Sequence, residues 1–305
     1  MENQEILMQE NTGSAQTLPE IIKEIENLAA CFREAGEAEK NGAEVAPYHL
    51  QRGMINRLFT SGGAYDKSTI MLRLTVIDSL YSTNAAFSHF SIEEMAGAIF
   101  EIGSEEEAAN YFDAIARGGE DTRGLFSKSY GTRKNLGKGR VQMSLLSKYA
   151  YYVLLQNPAR YPLGFPIHDS LVCSVHERAC WLVGVTPGRG LKTSIEHYAA
   201  ALDRLRTAIF GDKELFQGMQ QFDLLDAYLW RVGKLDSGNL SLLLNRDDYA
   251  RFIQNLGLEN SPLPSKEKEF DKAVKASCKE QGATALRSLT TPHLASLFTH
   301  WLNHY

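Results

Sequence analysis

Cysteine is scarce in this chain. Its four thiols, Cys31, Cys173, Cys180 and Cys278, are too few and too scattered among 305 residues for a disulfide scaffold. Cys173 and Cys180 share a C-x6-C spacing, but no further thiol follows closely, so a four-thiolate cluster has no support. Long apolar runs are missing too, and no segment approaches the length needed to cross a bilayer. Residues 1–18 read as a loose polar tail, without the apolar stretch of a secretion signal. These absences point to a cytoplasmic protein with reduced thiols and no membrane partner.

A further absence concerns charge. The net charge of −5 excludes a uniformly basic nucleic-acid coater but not a local basic patch. Between Asp121 and Asp169 there is no Asp or Glu over 47 residues, while Arg123, Lys128, Arg133, Lys134, Lys138, Arg140, Lys148 and Arg160 fall inside. The window holds +8, so the remainder holds −13. Immediately upstream, Glu93 to Asp121 sets nine acids against Arg117 alone. Such blocks are either ordinary clustering on a solvated surface or faces of opposite sign.

What the chain does have is helical periodicity and 44% hydrophobic residues, enough for a packed core. Helices are expected over Leu18–Glu39, Pro47–Phe59 and Lys67–Tyr81. Two S-x-x-E capping boxes, Ser91 with Glu94 and Ser104 with Glu107, predict helices reaching Ile102 and Arg117. Residues 124–139, rich in glycine and lysine, read as a loop, and a long apolar helix is expected from Arg140 to Gln156. Further helices are expected over Asp169–Val183, Ser194–Phe210, Phe222–Val232 (closed by Gly233), Ser241–Leu256, Glu267–Glu280 and Thr291–Tyr305. No repeat and no long alternating run demands a sheet. The class is all-α, with a core over 19–240 and a helical C-terminal extension over 241–305.

Four features could carry chemistry. Leu136-Gly-Lys-Gly-Arg140 precedes a long helix, where outward N–H groups and two cations suit a phosphate; the bland alternative is a surface turn. Asp169, after Phe165-Pro166-Ile167-His168, either caps the next helix or stabilises a developing cation in a water-poor cleft. Lys148 interrupts an apolar helix. It is either a snorkelling surface residue or a desolvated amine able to act as a nucleophile. Asp226 and Trp230 share a helix face at i and i+4, which suits a planar hydrogen-bonding ligand, or simply a core tryptophan beside a surface acid.

In chain order these features resemble the helix-hairpin-helix DNA glycosylases, most of all the 8-oxoguanine glycosylases including the archaeal type. The resemblance covers about residues 70–235. It implies two helical subdomains with the active-site cleft between them. Asn84, after Ile77–Thr83, would fill the gap left by an extruded base. Gly137, Lys138, Gly139 and Arg140 would hold the DNA backbone. Lys148 would be the nucleophile and Asp169 the catalytic carboxylate, with Tyr152, Asp226 and Trp230 forming the base pocket. The chain departs from the family pattern in its hairpin, which lacks the proline before Gly137, and in the nine residues from Gly139 to Lys148, where the family has two. Lys138 therefore stays open as the alternative nucleophile, as does a monofunctional enzyme with no attacking lysine.

The implied reaction flips a damaged base out of duplex DNA, cleaves its N-glycosidic bond and, through a lysine Schiff base, nicks the strand. It needs neither metal nor organic cofactor, and the enzyme is expected to work as a monomer, nucleoid-associated when bound to DNA. Two alternatives stand beside it: a glycosylase for a hypermodified phage base in anti-phage defence, and a non-catalytic DNA-binding module of the same fold. A helical protein-interaction scaffold is a third class, which predicts no DNA binding.

Overall fold

The computed structural model describes residues 47–61, 63–81, 90–132, 139–211 and 219–236, together with Thr83, Ala85 and scattered positions between 18 and 41. The expected C-terminal helices beyond residue 240 lie outside the described residues. The architecture is mostly helical, which agrees with the all-α class. Described positions between 18 and 37 are helical (α1) and bury Ile21, Ile25 and Ala29, one turn apart. There follow α2 (Pro47–Thr60), α3 (Lys67–Tyr81), α4 (Ser91–Phe100) and α5 (Glu105–Ala116). After the window opens come β1 (Ser129–Tyr130), β2 (Arg140–Val141), α6 (Met143–Leu155), α7 (Ser170–Leu182), α8 (Ile195–Phe210) and α9 (Gln221–Asp236). Among the described residues no helix is long and apolar enough to cross a membrane.

Helix α6 is the hub. Every side chain from Leu145 to Leu154 is buried, as befits a helix that is apolar on nearly all sides. It packs against α2, α3 and α5, while α7 packs on α9 and α8 bridges α5 and α9. An aromatic cluster joins these layers: Phe126 stacks on Phe165 with ring centroids 5.5 Å apart, and Phe112 meets both edge-on.

Four local expectations need correction. Ser91 does not cap α4. The cap position is Phe90, in a left-handed conformation (φ 62°), and the Ser91 hydroxyl donates instead to the Ala85 carbonyl at 2.6 Å. Its supposed partner Glu94 accepts from the Gly131 N–H at 2.8 Å. By contrast Ser104 does cap α5, accepting from the Glu107 N–H at 3.2 Å. The third correction is the start of α6, at Met143 rather than Arg140, because Arg140 pairs with Tyr130 in a two-stranded antiparallel ribbon. Last, α9 runs through Gly233 to Asp236.

Candidate active site

Lys148 sits in the middle of α6 at 4% exposure, which excludes the snorkelling reading. Its Nζ donates to the Ser144 hydroxyl at 2.8 Å and leans on the Ser144 carbonyl at 3.4 Å, one turn back on the same helix. Nζ also lies 5.4 Å from the centre of the Tyr81 ring, at the end of α3. Burial pushes its pKa below the ordinary lysine value, and the Asp169 and Asp226 carboxylates partly oppose that. Yet neither carboxylate reaches ion-pair distance among the described residues. The amine is in the field of two acids without being neutralised by either.

Asp169 is the residue before α7, and its Oδ1 accepts from the Leu171 N–H at 2.7 Å. It is a helix cap, and its other oxygen has no hydrogen-bond partner among the described residues. Asp121, the acid at the other edge of the acid-free window, contrasts with it. Both Asp121 oxygens are engaged, by the N–H groups of Leu125 and Phe126 at 2.9 and 2.8 Å and by the Tyr111 hydroxyl. The segment carrying Asp169 is tied to α6 beside the lysine, because the His168 N–H donates to the Ser147 hydroxyl at 2.9 Å. His168 is half-buried, its ring 4.9 Å from that of Tyr198, and burial lowers its pKa.

Asp226 faces the same place from α9. Its Oδ1 is cut off from solvent and has no hydrogen-bond partner among the described residues. Burial first, then the charge of Asp169, raise its pKa well above the carboxylate range. That direction favours the protonated carboxyl, the form able to donate a hydrogen bond. One turn earlier, Asp223 is paired with Arg52 of α2 and accepts from the Tyr151 hydroxyl at 3.1 Å, which fixes α9 against α6 and α2.

The structure therefore brings together three of the residues singled out in the sequence: Lys148, Asp169 and Asp226. Trp230 is half-buried against the core one turn past Asp226. Tyr152 is fully buried, stacked on Phe59 and hydrogen-bonded through its hydroxyl to Tyr81 at 2.8 Å. Asn84, Gly137 and Lys138 lie outside the described residues, although Asp78 holds Thr83 and, at 2.8 Å, the Ala85 N–H on either side of Asn84. Gly139 packs so closely on β1 that a Cβ there would sit 2.7 Å from the Tyr130 carbonyl oxygen. With Arg140 in β2, neither residue opens the helix, so the expected helix-start phosphate cradle is not formed by these two. The basic window is also not one face: Lys148 is interior and Arg160 pairs with Glu106 at 2.8 Å.

Residue patterns alone missed Tyr81, Ser144, Ser147, His168 and the Arg52–Asp223 pair. Only the Asp223–Asp226 spacing, two acids one turn apart on an apolar helix, left a trace of them in the sequence. Among the described residues no group of three or more His, Cys, Asp or Glu could hold a metal ion. Comparison of the chain with protein-family models, with curated proteins and with solved structures finds no match in any of the three.

Proposed function

We propose that the chain is a DNA N-glycosylase of the helix-hairpin-helix kind, with Lys148 as nucleophile and Asp169 as the charged group beside it. One observation carries the reading: a buried amine stands near a helix-capping carboxylate without touching it. Desolvation favours the neutral amine, which is the nucleophilic form. A lysine that served only to neutralise Asp169 would be in contact with it. In the proposal the reacting carbon lies between the two.

In the proposed reaction the base is flipped from the duplex, at a cost of a few kcal/mol that is lowest for a damaged or mispaired base. Asp169 stabilises positive charge developing on the sugar as the bond to the base lengthens. The Nζ lone pair forms a bond to C1′, and the electron pair of the broken bond leaves with the base. Opening of the sugar at O4′ and loss of the amine proton give the imine. Removal of a C2′ proton then expels the 3′ phosphate and nicks the strand. Asp226 and Trp230 are assigned to the base: the protonated carboxyl donates to an acceptor on its edge, and the indole stacks on its plane.

The test is excision on a panel of duplexes with modified bases. Base release by the wild type that is lost in Asp169→Asn supports the reading. Release unchanged in Asp169→Asn, or no release from any duplex, removes it. Release that persists in Lys148→Ala leaves Asp169 directing water and removes the lysine step.

A further inference from the structure

Between α7 and the loop of residues 185–194 lies a groove of about 590 Å3, apart from the Lys148 site. Its path is built in. Gly190 has φ +72°, and a Cβ there would come within 2.8 Å of His197 Nδ1, so the loop can take this course only with glycine. Thr193 closes the turn, its N–H and hydroxyl both donating to the Gly190 carbonyl at 3.0 and 2.9 Å. The Leu191 carbonyl lies 3.2 Å from His168 Nε2. These bonds fix the backbone beside Arg189 and Lys192, two exposed cations on the groove wall with no ion pair among the described residues. Glu177 is the one carboxylate in the lining. Burial raises the Cys173 thiol to about 11, so it adds no negative charge at neutral pH.

Two exposed cations on a surface are ordinarily just solvated. Position distinguishes these. Cys173, on the groove wall, bonds back through its N–H to the Asp169 carbonyl at 3.0 Å, so the groove begins one turn of α7 (~6 Å) from the candidate catalytic carboxylate. The Cys173 thiol feels both Lys192 and Asp169, and His168 feels both Lys148 and Asp169. The groove is far larger than a single phosphate requires, and Cys173 on its wall shares α7 with Asp169.

We infer that this groove holds the phosphodiester backbone of the strand whose nucleotide reaches Lys148, with Arg189 and Lys192 as the phosphate contacts. The identity of the strand as DNA rests on the glycosylase reading. Each phosphate neutralised releases condensed counterions, so the contacts have a salt signature.

The experiment measures binding of the full chain to a duplex carrying a tetrahydrofuran abasic analogue, by fluorescence anisotropy over a range of salt. This probe needs neither chemistry nor the correct base. The Arg189→Ala/Lys192→Ala pair should lower the slope of log K against log salt by about 2, and Glu177→Gln should tighten binding without lowering the slope. Wild-type binding with an unchanged slope in the double variant overturns the groove and leaves the glycosylase reading intact. A wild type that shows no salt-dependent DNA binding overturns both. Glu177→Gln guards against a misfolded double variant, because its effect has the opposite sign, and a neutral result there counts against the groove.

Discussion

Arg73 on α3 and Lys148 on α6 are both withdrawn from solvent, at 1% and 4% exposure, yet their surroundings differ in kind. The Arg73 guanidinium donates to the Leu58 carbonyl at 3.2 Å and to Glu105 at 2.7 Å, lies within 3.4 Å of the Phe59 carbonyl, and sits 4.5 Å from the centre of the Phe59 ring. It pins α2, α3 and α5 to one another. Among the described residues the Lys148 amine has only Ser144 of its own helix as hydrogen-bond partner, with two carboxyl groups near but out of contact. The first cation is saturated by the fold and holds it together. The second is desolvated by the fold and left incompletely matched, a cost that natural sequences tolerate at functional sites.

The contrast breaks most sharply on activity. Lys148→Ala should abolish strand nicking outright, and Asp169→Asn should slow base release by about 100-fold or more, in a gel assay on a cleavable duplex. Arg73→Met should do the reverse: it removes the donor to the Leu58 and Phe59 carbonyls and to Glu105, costing roughly 2–4 kcal/mol in urea unfolding, while remaining active at temperatures where it is folded. If Arg73→Met lost activity while still folded, the division into structural and reactive cations would fail.

Smaller effects sharpen the comparison. Lys148→Met should stabilise the protein at pH 7 by about 1–2 kcal/mol, since a buried amine is replaced by a side chain that needs no water. The sign follows from protons. The native amine has its pKa below the ordinary 10.5, so the unfolded chain binds the extra proton and wild-type stability rises with pH towards 10.5. The gain from methionine should therefore be largest at neutral pH and shrink towards pH 10, as measured by unfolding at both. Ser147→Ala removes the acceptor for the His168 N–H and should cost about 1 kcal/mol, together with a fall in nicking rate as Asp169 loses its tether.

Much of this was legible in the sequence where local chemistry decides. Helix α3 has the predicted bounds, Ser104 caps α5, and Lys148, Asp169 and Asp226 each announced themselves as ionisable groups beside apolar runs. The misreadings occur where a distant partner outbids a local one. The Ser91 hydroxyl goes to Ala85 rather than to its own helix, Arg140 is captured by a strand 10 residues earlier, and Gly233 is carried within a helix that its packing on α7 sustains. The surroundings of Lys148 were hidden for the same reason. Tyr81, His168 and Arg52 reach it, or the elements that carry its neighbours, from α3, the approach to α7, and α2. The acid-free window was visible as a charge pattern, but only folding shows that it supplies an interior amine and a surface ion pair as well as exposed cations.

The most direct measurement is borohydride reduction of the protein on a duplex with a true abasic site, followed by mass mapping of the modified peptide. A single DNA adduct on Lys148, formed faster as pH rises from acid to neutral, is the expected result. An adduct on Lys138, or none while strands are still nicked, would contradict the assignment of the buried amine as the nucleophile.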